Sequence, residues 1–148
     1  WTIWNLEDPV TSLGQNPQRS PSVFNFFRPD YAPPGPILGA GLTAPEFQIT
    51  HETTLTGYSN FMSYLAERGF GGKILPSYSR YEAVADNAET LLSLLDLELT
   101  AGQMSASTKA AITEVMNTLP VTLPNARRLR VWKAVYLVMT SPEYVVQR

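Results

Sequence analysis

The sequence predicts an all-α fold: an irregular helical bundle of about four main helices, preceded by a long ordered arm rich in proline and aromatic residues. Three observations carry that expectation. Apolar residues recur at spacings of three and four through most of residues 43–148, the period of a helix with one buried face. Little of the chain alternates with period two, so no sheet is expected. The periodic stretches are also bracketed by cap and stop residues, Ser, Thr or Asp next to Pro at their starts and Gly or Pro at their ends. At 148 residues the chain reads as a single domain over 1–148, with an irregular arm at 1–42 and a helical bundle at 43–148. That is enough chain to bury a core without staples.

The elements follow in order. Asp8-Pro9 reads as an N-cap followed by Pro at the first helical position, opening a short turn that ends at Gly14. Pro17, Pro21, Pro29, Pro33, Pro34 and Pro36 then keep the chain irregular to Gly41. A loop this long in a compact domain is commonly functional or part of a larger interface. Thr43-Ala-Pro-Glu46 is a helix start, with Thr43 as cap and Glu46 at the capping-box position. Phe47, His51, Leu55, Tyr58, Met62 and Leu65 share one face of that helix. Thr50, Thr53, Thr54 and Thr56 invite a kink, and Gly69, Gly71 and Gly72 end it.

A second helix is expected over 81–99, with Val84, Ala88, Leu91, Leu92, Leu95 and Leu99 inward and Glu82, Asp86, Glu89 and Asp96 as an acidic outer stripe. Gly102 breaks it. Ser105 or Ser107 caps a third, in which Ile112, Val115, Met116 and Leu119 face inward and which Pro120 stops. Pro124 opens a fourth, with Leu129, Trp132, Val135, Tyr136 and Met139 inward and Arg127, Arg128, Arg130 and Lys133 crowding its start. Ser141-Pro-Glu143 begins a final short helix.

Composition excludes several classes. Eleven basic against 13 acidic residues leave no strongly basic stripe for nucleic acid, so no nucleic-acid partner is expected. No apolar run reaches the length of a membrane-spanning helix. With no cysteine there is no disulfide, thiolate nucleophile or Cys-based zinc site. The opening Trp1-Thr-Ile-Trp4 lacks the basic start and apolar centre of a signal peptide, and is read as the trimmed start of a fragment.

Several strings carry a resemblance: Leu13-Gly-Gln15, Pro21-Ser-Val-Phe-Asn-Phe-Phe27, Pro29-Asp-Tyr31, Pro33-Pro-Gly35, Gly41-Leu42, Ala44-Pro-Glu-Phe-Gln-Ile49, Met139-Thr-Ser-Pro-Glu-Tyr144 and Gln147. Together they resemble a bacterial family numbered 1800 among domains of unknown function. Members are much longer, so the resemblance implies that this chain is a C-terminal part. Members often look exported and tend to be encoded beside an exported protein of sulfatase-like type. The resemblance thus implies a periplasmic, extracellular or envelope setting, and a protein partner that is either the N-terminal remainder of its own chain or that neighbour. It implies no reaction and no catalytic residues.

Among candidate sites, His51 is the sole histidine. It stands beside Glu52 and five residues after Glu46, but neighbours on a helix point apart, and no zinc-type His spacing is present. Neither a metal site nor a cofactor site follows. Asp30, Glu46 and Glu52 are the acids near the aromatic arm. A glycosidase needs two carboxylates about 5 Å or about 6.5–9.5 Å apart, and aromatic platforms suit sugars. Glu46 has a capping task, however, and Asp30 sits where Asp makes local turns. Phe24, Phe26, Phe27 and Tyr31 are read as anchors that pin the arm, or else as a binding platform. No Gly-x-Ser-x-Gly or phosphate loop is present: Gly57-Tyr-Ser59 lacks its second glycine, and Gly69-Phe-Gly-Gly-Lys73 is a helix stop. The basic cluster at 127–133 is expected to pair with the acidic stripe, with an anionic partner held open because basic residues oppose the dipole at a helix start. Two functions remain. One is a non-catalytic structural or interaction module. The other is part of a polysaccharide-binding or glycan-acting enzyme: the arm, with Phe24, Phe26, Phe27 and Tyr31, and the 43–68 helix form one wall of a cleft that Asp30, Glu46, His51 and Glu52 face, and the remaining site residues lie outside this fragment.

Overall fold

The computed structural model describes residues 5–146. Residues 1–4, read above as unlike a signal peptide, and residues 147–148 lie outside them. The described residues hold helices and turns and no strand: α1 (Pro36–Gly39), a 3-10 segment (Pro45–Ile49), α2 (Glu52–Arg68), α3 (Ser79–Glu82), α4 (Ala88–Leu99), α5 (Ala106–Thr118), α6 (Ala126–Met139) and α7 (Pro142–Val145). The fold is all-α. The chain divides into two compact units, Trp1–Phe61 and Met62–Arg148, with the division inside α2.

The core belongs to the second unit. There α4, α5 and α6 pack on one another, and α3 and α7 pack on α6. Leu91, Met116, Val131, Ala134 and Val138 are wholly enclosed. Each large side chain so placed stabilises the fold by about 1.5–3 kcal/mol. Most of the apolar stripe expected of 81–99 is buried: Ala88, Leu91, Leu92 and Leu95. The helix itself is shorter than expected. Asn87 accepts the Thr90 N–H at 2.9 Å through its side chain, so α4 starts one residue later and α3 is a separate turn. An Asn side chain satisfies a helix start better than it continues a helix.

Three inward faces are rotated from expectation. On α6 the buried residues are Ala126, Arg130, Val131, Ala134, Val135 and Val138, whereas Leu129, Trp132, Tyr136 and Met139 are only half-buried. On α5 Ile112 and Met116 are buried but Val115 is exposed. On α2 Phe61, Met62 and Ala66 are buried, and Leu55 is 52% exposed. In each case the sequence spread the apolar residues over an arc wider than the neighbouring helices cover.

The helix expected from Thr43 also divides. The 3-10 segment has Ala44 at its cap position with no side-chain hydrogen bond, so neither Thr43 nor Glu46 caps. Helix α2 starts anew after His51. Its third residue, Thr54, accepts the His51 N–H at 2.9 Å and donates to the Ile49 carbonyl at 2.6 Å. Threonine thus takes the reciprocal role that Glu has in a capping box, and the expected kink becomes a break.

The first unit is held mainly by polar and backbone contacts. Among its described residues Phe61 is the buried large apolar side chain. The Asp8 carboxylate accepts the Val10 N–H at 2.8 Å and the Thr11 hydroxyl at 2.7 Å, which makes the expected turn. The Thr11 bond, with the Val10 N–H second, holds this carboxyl below its ordinary pKa. Along the arm, the Arg28 N–H donates to Gln48 Oε1 at 2.7 Å and the Ala44 N–H to the Tyr31 carbonyl at 2.8 Å. Where α2 meets the Asp8 turn, a Cβ on Gly57 would lie 2.2 Å from the Pro9 carbonyl oxygen. Gly57→Ala must therefore push two backbones apart, at a cost of about 1–3 kcal/mol. Hydrogen exchange should show it. The Ser12 and Leu13 amides, bonded to Asp8 and Leu6 carbonyls, should exchange at least tenfold faster, with α4 and α6 unchanged.

Candidate functional site

Charged side chains of the second unit are largely spent on joining its own elements. At the start of α6 the Arg127 guanidinium makes two hydrogen bonds to the Asp86 carboxylate, through Nε at 3.1 Å and through Nη2. Arg128 approaches Glu82 at 3.9 Å and lies over the Tyr78 ring, 5.7 Å from its centroid. The expected pairing of basic cluster and acidic stripe is therefore present. The bond from Arg127, aided by the fields of Arg127 and Arg130, holds the Asp86 carboxyl below its ordinary pKa. A cavity of about 740 Å³ opens here, lined by both pairs with Val121 and Leu123. Its arginines already face carboxylates, so it offers no uncompensated positive charge to an anion.

Two members of the expected surface stripes are internal. Arg130 is 2% exposed and donates to the carbonyls of Ala85 (2.7 Å), Met116 (2.7 Å) and Leu119 (3.1 Å). Asp96 is 4% exposed and accepts from the Thr100 hydroxyl (2.5 Å), the Met104 N–H (2.9 Å) and Lys109 Nζ (2.6 Å). Both correct the reading of these positions as solvated. Their chemistry is clamping, not catalysis.

A third clamp lies at the start of α5. Ser105 Oγ accepts the Thr108 N–H at 3.2 Å, the expected cap. The carboxylate of Glu143, from α7, accepts the Ser105 N–H at 3.1 Å and the Thr108 hydroxyl at 3.0 Å. A capping box is thus completed by an acid 38 residues away. The Ser105 hydroxyl leads in lowering the Glu143 pKa from 4.5 to about 2, ahead of the Glu143 and Ser105 backbone N–H groups and the Thr108 hydroxyl. The folded state then binds fewer protons than the unfolded one. This stabilisation is complete above about pH 4.5 and disappears as pH falls towards 2. Allowing for solvent screening, it is worth roughly 1 kcal/mol. Glu143→Gln should lower stability by roughly 1 kcal/mol at neutral pH without altering the slope there, and its curve should converge with that of the wild type as pH falls from about 4.5 towards 2.

In the first unit Asp30, Glu46, His51 and Glu52 are exposed. The arm's bonds to residues 44–48 bring Asp30 and Tyr31 alongside the segment that carries Glu46, and His51 and Glu52 follow at the start of α2. No group of three or more His, Asp or Glu side chains able to hold a metal forms among the described residues. The arm's aromatics divide. Phe26, Phe27 and Tyr31 are half-buried, as an anchoring role requires, whereas Phe24 is 57% exposed, so its ring does not meet that requirement.

A second cavity, about 400 Å³, lies in the first unit and was not foreseen. Its lining residues include four that carry carboxamides, Gln15, Asn16, Gln18 and Asn25, together with Phe26 and the aliphatic Leu6 and Leu13. Asn16 is 3% exposed, and both its amide nitrogen and its amide oxygen lack a hydrogen-bond partner. In sequence the four carboxamide residues read as ordinary turn formers; of the lining residues Phe26 alone stands among the candidates.

Fold and sites together define an all-α protein whose buried charges serve structure and whose first unit carries the less ordinary surfaces. The chain matches the family model described as a protein of unknown function (DUF1800) over residues 2–146. It belongs to that family. No curated protein and no solved structure matches it.

Proposed function

We propose that this chain is a non-catalytic structural and interaction module of an exported or envelope-associated bacterial protein. The observation that carries the reading is the surface of the first unit. Val23 (95% exposed), Phe24 (57%), Leu38 (56%), Leu42 (60%) and Phe47 (46%) all stand in solvent within one short stretch. Exposed large apolar side chains at this density along the chain suit a protein contact better than chemistry, and aromatic anchors dominate such contacts. The acids weighed as a hydrolytic pair, Asp30, Glu46 and Glu52, are exposed, and no group of three or more such ligands able to hold a metal forms among the described residues. The partner in this reading is protein: the N-terminal remainder of a longer chain, or an exported sulfatase-like neighbour.

The test mixes the purified chain with each of those two proteins and measures complex formation by light scattering after gel filtration. Phe24→Lys and Leu42→Lys should leave Tm within a few degrees and weaken the complex at least tenfold. Absence of a complex with either protein, or complexes indifferent to both substitutions, would remove the basis for the reading.

A further inference from the structure

We propose that the cavity around Asn16 is a binding site for a neutral saccharide, a function beyond the interaction module and independent of its partner. The argument starts from the cost of Asn16. A buried polar group without a partner destabilises a fold by roughly 1–3 kcal/mol, and Asn16 leaves both a donor and an acceptor unsatisfied. Leucine would fill similar space at no such cost. The backbone around the cavity carries a second cost. Gln18 (φ 59°) and Asn25 (φ 64°) both sit in the left-handed region, and both line it. Asn tolerates that conformation better than Gln does. Strain of this kind gathers at ligand sites.

The wall chemistry selects the ligand class. A cavity of about 400 Å³ lies within the usual range for small-molecule sites, about 300–1,000 Å³. No charged side chain is among its lining residues, so neither an anion nor a cation is matched. Each carboxamide offers an acceptor oxygen and two donor hydrogens. Vicinal hydroxyls, which both donate and accept, complement that pattern two bonds at a time. The half-buried Phe26 ring offers an apolar face for the C–H side of a pyranose. The Asn16 amide atoms are buried and unpartnered, so a ligand engages them after a turn of that side chain. No carboxylate lines the cavity, so the site binds without hydrolysing.

The test uses the full chain, ¹⁵N-labelled, titrated with cellobiose, N,N′-diacetylchitobiose and the blocked peptide N-acetyl-Gly-Gly-amide to tens of millimolar. Side-chain amide resonances of Asn16 and Asn25 should move with one of the saccharides and not with the peptide. Asn16→Leu should weaken saccharide binding at least tenfold while leaving Tm equal or higher. Gln18→Gly, which suits the left-handed backbone, should weaken it with the fold intact. The proposal is overturned if no saccharide moves these resonances, if binding survives both substitutions, or if only the peptide binds. It is equally overturned if Asn16→Leu lowers Tm and leaves binding unchanged, which would make Asn16 purely structural. None of these results bears on protein partners at Phe24 and Leu42.

Discussion

Arg130→Ala should destabilise the protein by about 3–5 kcal/mol, because a buried carbonyl left without its charged donor costs about 1–3 kcal/mol. The guanidinium is 2% exposed and bonds three carbonyls in two places. Ala85 precedes α4, while Met116 and Leu119 lie at the end of α5. Carbonyls at a helix end have no partner within the helix. Arg130 supplies one from α6 and so couples the three helices that make the core. Its removal strands the Ala85 and Leu119 carbonyls, leaves the Met116 carbonyl with only the Leu119 N–H at 3.2 Å, and opens a cavity beside Met116 and Val131. For a chain of this size the expected fall in Tm is roughly 10 °C. Arg130→Lys should recover little, since an ammonium on one stem cannot reproduce a planar fork aimed at separated acceptors. Urea unfolding of both variants gives the answer. A loss below about 1 kcal/mol for alanine, or full recovery by lysine, would show that packing rather than the fork holds these ends together.

How far the sequence disclosed all this depends on the kind of signal. The helices of the second unit were legible because they carry periodic apolar residues with caps, such as Ser105, whose side chain accepts the Thr108 N–H. Breaks were less legible. Thr54 and Asn87 each start a helix by bonding locally, and nothing in a residue's identity says whether it will cap or sit mid-helix. Burial of charge was the least legible. Arg130 stands among Arg127, Arg128 and Lys133, and Asp96 among acids of one stripe. Only the folded neighbours separate the internal member from the solvated ones. The same holds for Glu143, which caps a helix 38 residues earlier in the chain. The cavity around Asn16 lies in a turn-rich stretch where Asn, Gln and Pro are expected on local grounds, so composition could not single it out.

Asp96→Ala is the second large effect, expected at about 3 kcal/mol or more. The carboxylate joins the end of α4 to the loop and to α5, through Thr100, the Met104 N–H and Lys109. Burial alone would raise its pKa, but Lys109, the Thr100 hydroxyl and the Met104 N–H outweigh it and hold the carboxyl below 3.8. Asp96→Asn keeps an acceptor for Thr100 and Met104 and loses the ion pair. Lys109 is 40% exposed and can return to water. The asparagine variant should therefore lose less than half of what alanine loses. The sign with pH follows from the lowered pKa. The ionic part of the stabilisation is complete above the unfolded pKa near 3.8 and vanishes as pH falls through the lower folded value. Denaturation of wild type and Asp96→Asn at pH 7 and at successively lower pH should show the two curves converging in acid. If the gap between them stays constant down to the acid limit, the clamp is held by neutral hydrogen bonds and Lys109 contributes nothing to it.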